Sequence, residues 1–280
     1  MRNKPGGNLW LLARLNHIGR HNMKKTMLIV IAAMLSTVVA SAQTTTDNGR
    51  EIVGKSWQLY RQSVYEIENV QVVVTGYSGR KTEKAYTRWI LFEPNGEDKT
   101  CMIFGEPAMD RGLGLLVNRH PGNADDLWLK LPSFDKVRRI SVGDESKYFA
   151  GTDFSYEDAR QLTGERLDDF DYQTLECKEG VWAVEARSKP GIKSGYGKRV
   201  FLIDRSFITR EIRFYDQADR LVKTLVNKDV EAKEGGLWRA GATAIENVAL
   251  GRTTVLRVVK REFPDSIEPS IFTTAHLTKE

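Results

Sequence analysis

The stretch FDKVRRISVGDESKYFAGTDFSYED, Phe134 to Asp158, sets three bases, Lys136, Arg138 and Arg139, ahead of three acids, Asp153, Glu157 and Asp158. Four aromatics, Tyr148, Phe149, Phe154 and Tyr156, lie between them. Two structures suit that pattern. One is a phosphate clamp built on the bases. The other is a flap that turns its aromatics inward and is pinned at its base by ion pairs. Acids and bases this near in sequence favour the flap, with Arg138 and Arg139 anchoring it through Asp153 or Asp158. Just upstream, DLWLKLP (126–132) reads as a strand closed by a proline, and Val137 to Ser141 as a second strand. Ser155 and Asp158 have the spacing of a capping box, which predicts a short helix in SYEDARQL.

Outward from this stretch the pattern is nearly all strand. Runs rich in β-branched and aromatic residues recur between Gly, Asn and Asp turns, about a dozen in number. In REIRFYD, Ile212 and Phe214 share one face and Glu211 and Arg213 the other. Two runs, Trp89 to Phe92 and Met102 to Phe104, are apolar on both faces, so they need cover on both sides, from a helix or from the wall of an apolar cavity. No strand–helix–strand succession appears, which excludes a parallel α/β sheet. Helices are expected over 48–64 after an Asp47 or Asn48 cap, from Ser155, and after Pro269. The residues from 43 to 280 read as one domain.

The chain opens differently. From Met23, MKKTMLIVIAAMLSTVVASA has two lysines, a short apolar run and Ala40-Ser41-Ala42, the three parts of a secretory leader cleaved after Ala42. Residues 1–22 read as an over-extended start ahead of Met23. Residues 1–42 carry six bases and no acid, so the remainder holds 36 bases against 37 acids, a net charge of −1. The overall pI of about 9.1 thus belongs to the leader, and a nucleic-acid partner is not expected. Export with no further apolar span and no cysteine at the cleavage site predicts a soluble periplasmic protein. Cys101 and Cys177 could pair there or stay free.

Catalytic signals are sparse. Past the leader only His120 and His276 remain, and no serine has nucleophile-elbow spacing, GYSGR (76–80) reading as a hairpin turn. The glycines of RGLGLL and GIKSGYGKR do not complete a dinucleotide fingerprint. No cysteine–histidine cluster has zinc spacing, and Asp125-Asp126 and Asp168-Asp169 suit solvated turns better than a glycosidase pair. No enzyme activity, cofactor or metal is expected.

LWLKLPSFDKVRRISVGDESKYFAGTDFSYED (127–158), with GLGLLV and the W-x-L-F strand before it and IFTTAHL (271–277) after, closely resembles the LolA-like outer membrane lipoprotein-sorting protein family. The resemblance runs from about Glu51 to the C-terminus. It implies a half-open, strongly curved antiparallel β-barrel of about eleven strands with helices over an apolar cavity. Within that cavity acyl chains of lipoproteins or other lipids would travel toward the outer membrane or an export pump. The candidates for the cavity and its lid are Trp89, Leu91, Met102, Phe104, Leu115, Trp128, Phe149 and Phe154. The loop FAGTDFSYED is extra relative to better-known carriers and points to a branch linked to export pumps of the resistance-nodulation-division type. An inner-membrane transporter of that type and an outer-membrane acceptor are therefore the implied partners of a monomeric carrier. A sensor of the same fold, detecting lipid or mislocalised lipoprotein, is the alternative reading.

Overall fold

The computed structural model describes residues 48–278 except 134, 135, 162, 163 and 165, with backbone alone at 160 and 161. The leader expected over 1–42 lies outside the described residues. Helix α1, Gly49–Tyr60, opens the described chain. The first half then gives β1 Tyr65–Thr75, β2 Lys81–Leu91, β3 Lys99–Glu106, β4 Gly114–Asn118, β5 Asp126–Lys130 and β6 Val137–Arg139. Helix α2, Tyr156–Gln161, lies between the halves. The second half gives β7 Phe170–Lys178, β8 Val181–Ser188, β9 Lys198–Asp204, β10 Thr209–Tyr215, β11 Leu221–Ala232, β12 Trp238–Asn247 and β13 Arg252–Glu262. Helix α3, Thr274–Leu277, closes it.

All thirteen strands join one antiparallel sheet in the order β6-β5-β4-β3-β2-β1-β13-β12-β11-β10-β9-β8-β7. The expected count of eleven is therefore corrected to thirteen among the described residues. Each apolar run forms its own strand, and the three-residue β6 adds a short edge. The sheet is open, with β6 and β7 at opposite edges. This topology has a direct consequence. The connection from β6 to β7, residues 140–169, starts at one edge and ends at the other, so it must cross a face of the sheet.

The crossed face is the concave one. Tyr86 on β2 and Phe214 on β10 line the same cavity, yet five strand spacings of ~4.8 Å, about 24 Å, would separate them in a flat sheet. Register shifts at Asn69/Val70, Ala85/Tyr86, Thr209/Glu211 and Phe214/Tyr215 supply part of the bend, because a β-bulge kinks its strand and raises the local twist. Helix α1 lies against β7, β8, β9 and β12. The Asn48 side chain caps it by accepting from the Arg50 N–H at 3.1 Å, and it turns Ile52, Val53, Trp57, Leu59 and Tyr60 into the core.

The two-faced strands receive their second cover from the C-terminus. A turn of 3-10 helix, Pro269–Phe272, and α3 lay Ile267, Phe272 and Leu277 on the convex face, over Leu91, Cys101 and Leu116. Thr273 caps α3 by accepting from the His276 N–H. The approach is close enough that a Cβ at Gly114 would stand 2.8 Å from Leu277 Cδ2. The open choice between a helix and a cavity wall is thus settled for this face by a helix.

Both cysteines are free. Cys101 is fully buried under the C-terminal cover, and burial pushes its thiol up to about 12. At pH 8 about one molecule in 10⁴ would carry the reactive thiolate. Ellman titration of the folded protein is therefore expected to detect Cys177 and not Cys101, and both after denaturation. Rapid titration of two thiols in the folded state would show that the C-terminal cover opens readily.

Candidate functional site

In β1 the side chains of Glu66, Glu68, Val70, Val72 and Val74 alternate onto the concave face, and all five are buried. Two carboxylates thus share a strand face with three valines, which must be answered by cations. The register supplies them: Glu68 stands opposite Arg88 on β2 and Arg261 on β13. Arg88 forks onto Glu68 through Nε (2.9 Å) and Nη2. Arg261 Nε donates to the other Glu68 oxygen at 2.8 Å and lies 3.0 Å from Glu66. Arg239 on β12 grips Glu66 through Nε and Nη2, and its Nη1 donates to the Tyr60 carbonyl. Burial alone would raise the Glu68 carboxyl, but Arg88 and Arg261 outweigh it and hold the group at about 2.

Beyond this charged cluster lies an apolar cavity. Its floor is formed by Val70, Ile212, Phe214, Leu225, Leu256 and Val258, and its walls by Trp57, Tyr60, Tyr86 and Trp238, with Arg88 and Arg261 at one end. About 70 Å³ is open to water-sized spheres. That holds a few waters but falls well short of the ~300–1,000 Å³ of ordinary ligand pockets. As the protein stands, the cavity is too narrow for an acyl chain. Trp57 also lines a wider polar groove with Arg61, Asp98 and Arg119, so a single indole separates the two spaces.

The crossing connection is the lid. A small hairpin closed by the Tyr148–Ser155 bridge turns at Ala150 and Gly151, both at positive φ. It drives Phe149 against Phe104 with ring centroids 5.8 Å apart, and Phe104 in turn packs on Tyr86 of the cavity wall. Three carboxylates fasten it, all buried. Asp153 accepts from Arg252 at 2.8 Å, Thr254 at 2.7 Å and Asn247 at 3.1 Å. Glu157 accepts from Arg199, Ser194 and the Gly195 N–H. Asp158 accepts from Lys223 and Tyr196, each at 2.8 Å, and exchanges capping hydrogen bonds with Ser155. The capping box expected from spacing is therefore present. Its acid also faces the cavity. The fastenings reach β9, β11, β12 and β13, so one segment ties four strands.

The expected site residues redistribute. Arg139 pairs with Asp126 on the neighbouring strand, and Arg138 hydrogen-bonds Tyr156. Neither anchors Asp153 or Asp158, which correct their partners to Arg252 and Lys223. The reason is the crossing: the segment leaves β6 at the sheet edge and carries its acids away from these bases. Of the eight cavity and lid candidates none lines the cavity, while Phe149 and Phe154 lie in the lid. Trp89, Leu91 and Trp128 belong to the convex face beneath the C-terminal cover. Met102, Phe104, Leu115, Phe149 and Phe154 are concave-face core, packed behind the cavity wall or in the lid. Reasoning from sequence missed Trp57, Tyr60, Arg88, Phe214, Trp238 and Arg261. For two of the cations a signal existed, since Glu66 and Glu68 fall on the valine face and demand them.

Among the described residues no group of three or more His, Cys, Asp or Glu side chains is placed to hold a metal ion. None of their helices is long and apolar enough to cross a membrane.

A family model described as "-like: Uncharacterized protein" matches residues 96–279. No curated protein matches. Among solved structures, an outer membrane lipoprotein-sorting protein domain from Vibrio parahaemolyticus superposes with a TM-score of 0.75 at 27% identity, over 82% of this chain and 98% of that one. A DUF1329 family protein from Desulfovibrio piger gives 0.74 at 24% identity, over 82% and 97%. A LolA superfamily protein from Nitrosomonas europaea gives 0.63 at 18%, over 82% and 99%. The latter two show the fold.

Proposed function

Because the chain belongs to the LolA-like family of outer membrane lipoprotein-sorting proteins, we propose that it is a non-enzymatic carrier of acyl chains. The observation that carries this reading is the lidded apolar cavity on the concave face of the sheet. Each methylene moved from water into such a cavity contributes about 0.8 kcal/mol before ordering costs. A cavity of about 70 Å³ cannot hold a whole chain, so loading requires the lid, α1 or both to move. A carrier benefits from that closure, because an empty apolar cavity that stayed open would expose surface prone to association. With the expected leader, the reading extends to a periplasmic carrier that works as a monomer and shuttles lipoprotein or lipid toward the outer membrane or an export pump. The loop holding Asp153, Glu157 and Asp158 is the feature that favours loading from a pump of the resistance-nodulation-division type.

Native mass spectrometry of protein prepared from the periplasm without detergent is expected to show a bound acyl species that is lost on denaturation. Ala240→Phe, which puts a ring into the cavity from β12, is expected to weaken uptake of a fluorescent fatty acid at least tenfold with little change in melting temperature. A protein that carries no lipid and takes up no probe would overturn the carrier.

A further inference from the structure

The charged end of the cavity holds more cation than it uses. Among the described residues, the acids paired with Arg88, Arg239 and Arg261 are Glu66 and Glu68, which leaves an excess of one positive charge. All four carboxylate oxygens already accept hydrogen bonds from these guanidiniums. Even so, Arg88 Nη1 is buried without a hydrogen-bond partner among the described residues. Trp57 Nε1 is in the same condition. Both side chains are at least nine-tenths buried, and both line the cavity. Tyr60 and Tyr86 line it as well, their phenols kept protonated by burial and thus able to donate.

A buried orphan donor is costly and calls for a partner. Two orphan donors on one cavity, beside protonated phenols and an uncompensated positive charge, specify an acceptor that is also an anion. We propose that this end of the cavity binds the anionic group of an amphiphilic cargo, a carboxylate or phosphate monoester ending an acyl chain, with Arg88 Nη1 and Trp57 Nε1 donating to it. The acyl chain would run from there over Val70, Leu256 and Phe214. This rests on the carrier reading and narrows it: a neutral, amide-linked acyl group offers these donors a carbonyl but leaves the charge unbalanced. A guanidinium suits either anion because its fork matches both.

The test is calorimetric titration of the purified protein with four twelve-carbon ligands of different ends: dodecanoate, dodecyl phosphate, dodecanol and dodecyltrimethylammonium. The two anions are expected to bind at least tenfold more tightly than dodecanol, with the cation weakest. Which anion binds better separates a fatty-acid site from a phospholipid-like one. In Trp57→Phe, which keeps the ring and removes the N–H, the anion-to-alcohol ratio should fall at least threefold. Equal affinity for anions and alcohol would mean that ordered water satisfies the two donors; it would overturn the inference and leave the carrier standing. Absence of binding by all four would overturn both.

Discussion

Arg199→Ala is expected to destabilise the folded protein by about 3–5 kcal/mol, because it leaves the Glu157 carboxylate buried without its cation. Both side chains are almost wholly enclosed, at 1% and 2% exposure. The hydrogen bonds from Ser194 and the Gly195 N–H remain, but they carry no full charge. The guanidinium also packs over the Phe170 ring at 4.7 Å, and that contact is lost as well. Arg139→Ala should cost less than about 1 kcal/mol, since Arg139 is 54% exposed and its pair with Asp126 is solvated. Urea unfolding of the two variants decides which arginine holds the lid. Comparable losses would return the anchoring role to the bases of VRRI. The double replacement Arg199→Met with Glu157→Gln removes both charges at near-constant volume. It should be milder than Arg199→Ala, and the cycle separates the pair's coupling from the cost of an orphaned charge.

The lid shows where reading the sequence succeeds and where it stops. Its existence, the inward turn of Phe149, Phe154 and Tyr156, and its capping box were legible between Tyr148 and Asp158, because these are local patterns. Tyr148, expected inward with them, is 41% exposed. The lid's partners were not legible. Arg199, Lys223 and Arg252 lie 42, 65 and 99 residues from the acids they bind, and only the strand order brings them under the crossing segment. Nearness in sequence pointed to Arg138 and Arg139, and a connection that must leave one sheet edge for the other defeats that expectation. The cavity failed for a different reason. In strands apolar on both faces, alternation cannot say which face is concave, and Trp89 and Trp128 were placed inside when the C-terminal segment covers them outside. The strands that do line the cavity alternate more clearly, and β1 marks its own inner face by setting Glu66 and Glu68 in line with three valines.

That inner face also predicts how the protein meets acid. Glu68 is held at about 2 in the folded state, against an ordinary value near 4.5. A carboxyl depressed by folding contributes stability in full above its unfolded pKa and loses it as pH falls through the folded one. For Glu68 the window runs from about pH 4.5 down to about pH 2. A depression of this size corresponds to about 3 kcal/mol. Stability measured by urea unfolding is therefore expected to fall steeply across that window. In Glu68→Gln the total stability is lower, because Arg88 and Arg261 lose their carboxylate, but the slope across the window should flatten. An unchanged slope would show that Glu68 does not carry the acid sensitivity. Protonation of Glu68 leaves Arg88 and Arg261 with one carboxylate fewer inside the cavity. Acid near the folded value of Glu68 would then increase the uncompensated positive charge at the cavity end. Toward the lower end of that window, where Glu68 takes up its proton, affinity for an anionic acyl ligand that stays ionised, such as dodecyl sulfate, should rise in the molecules that remain folded.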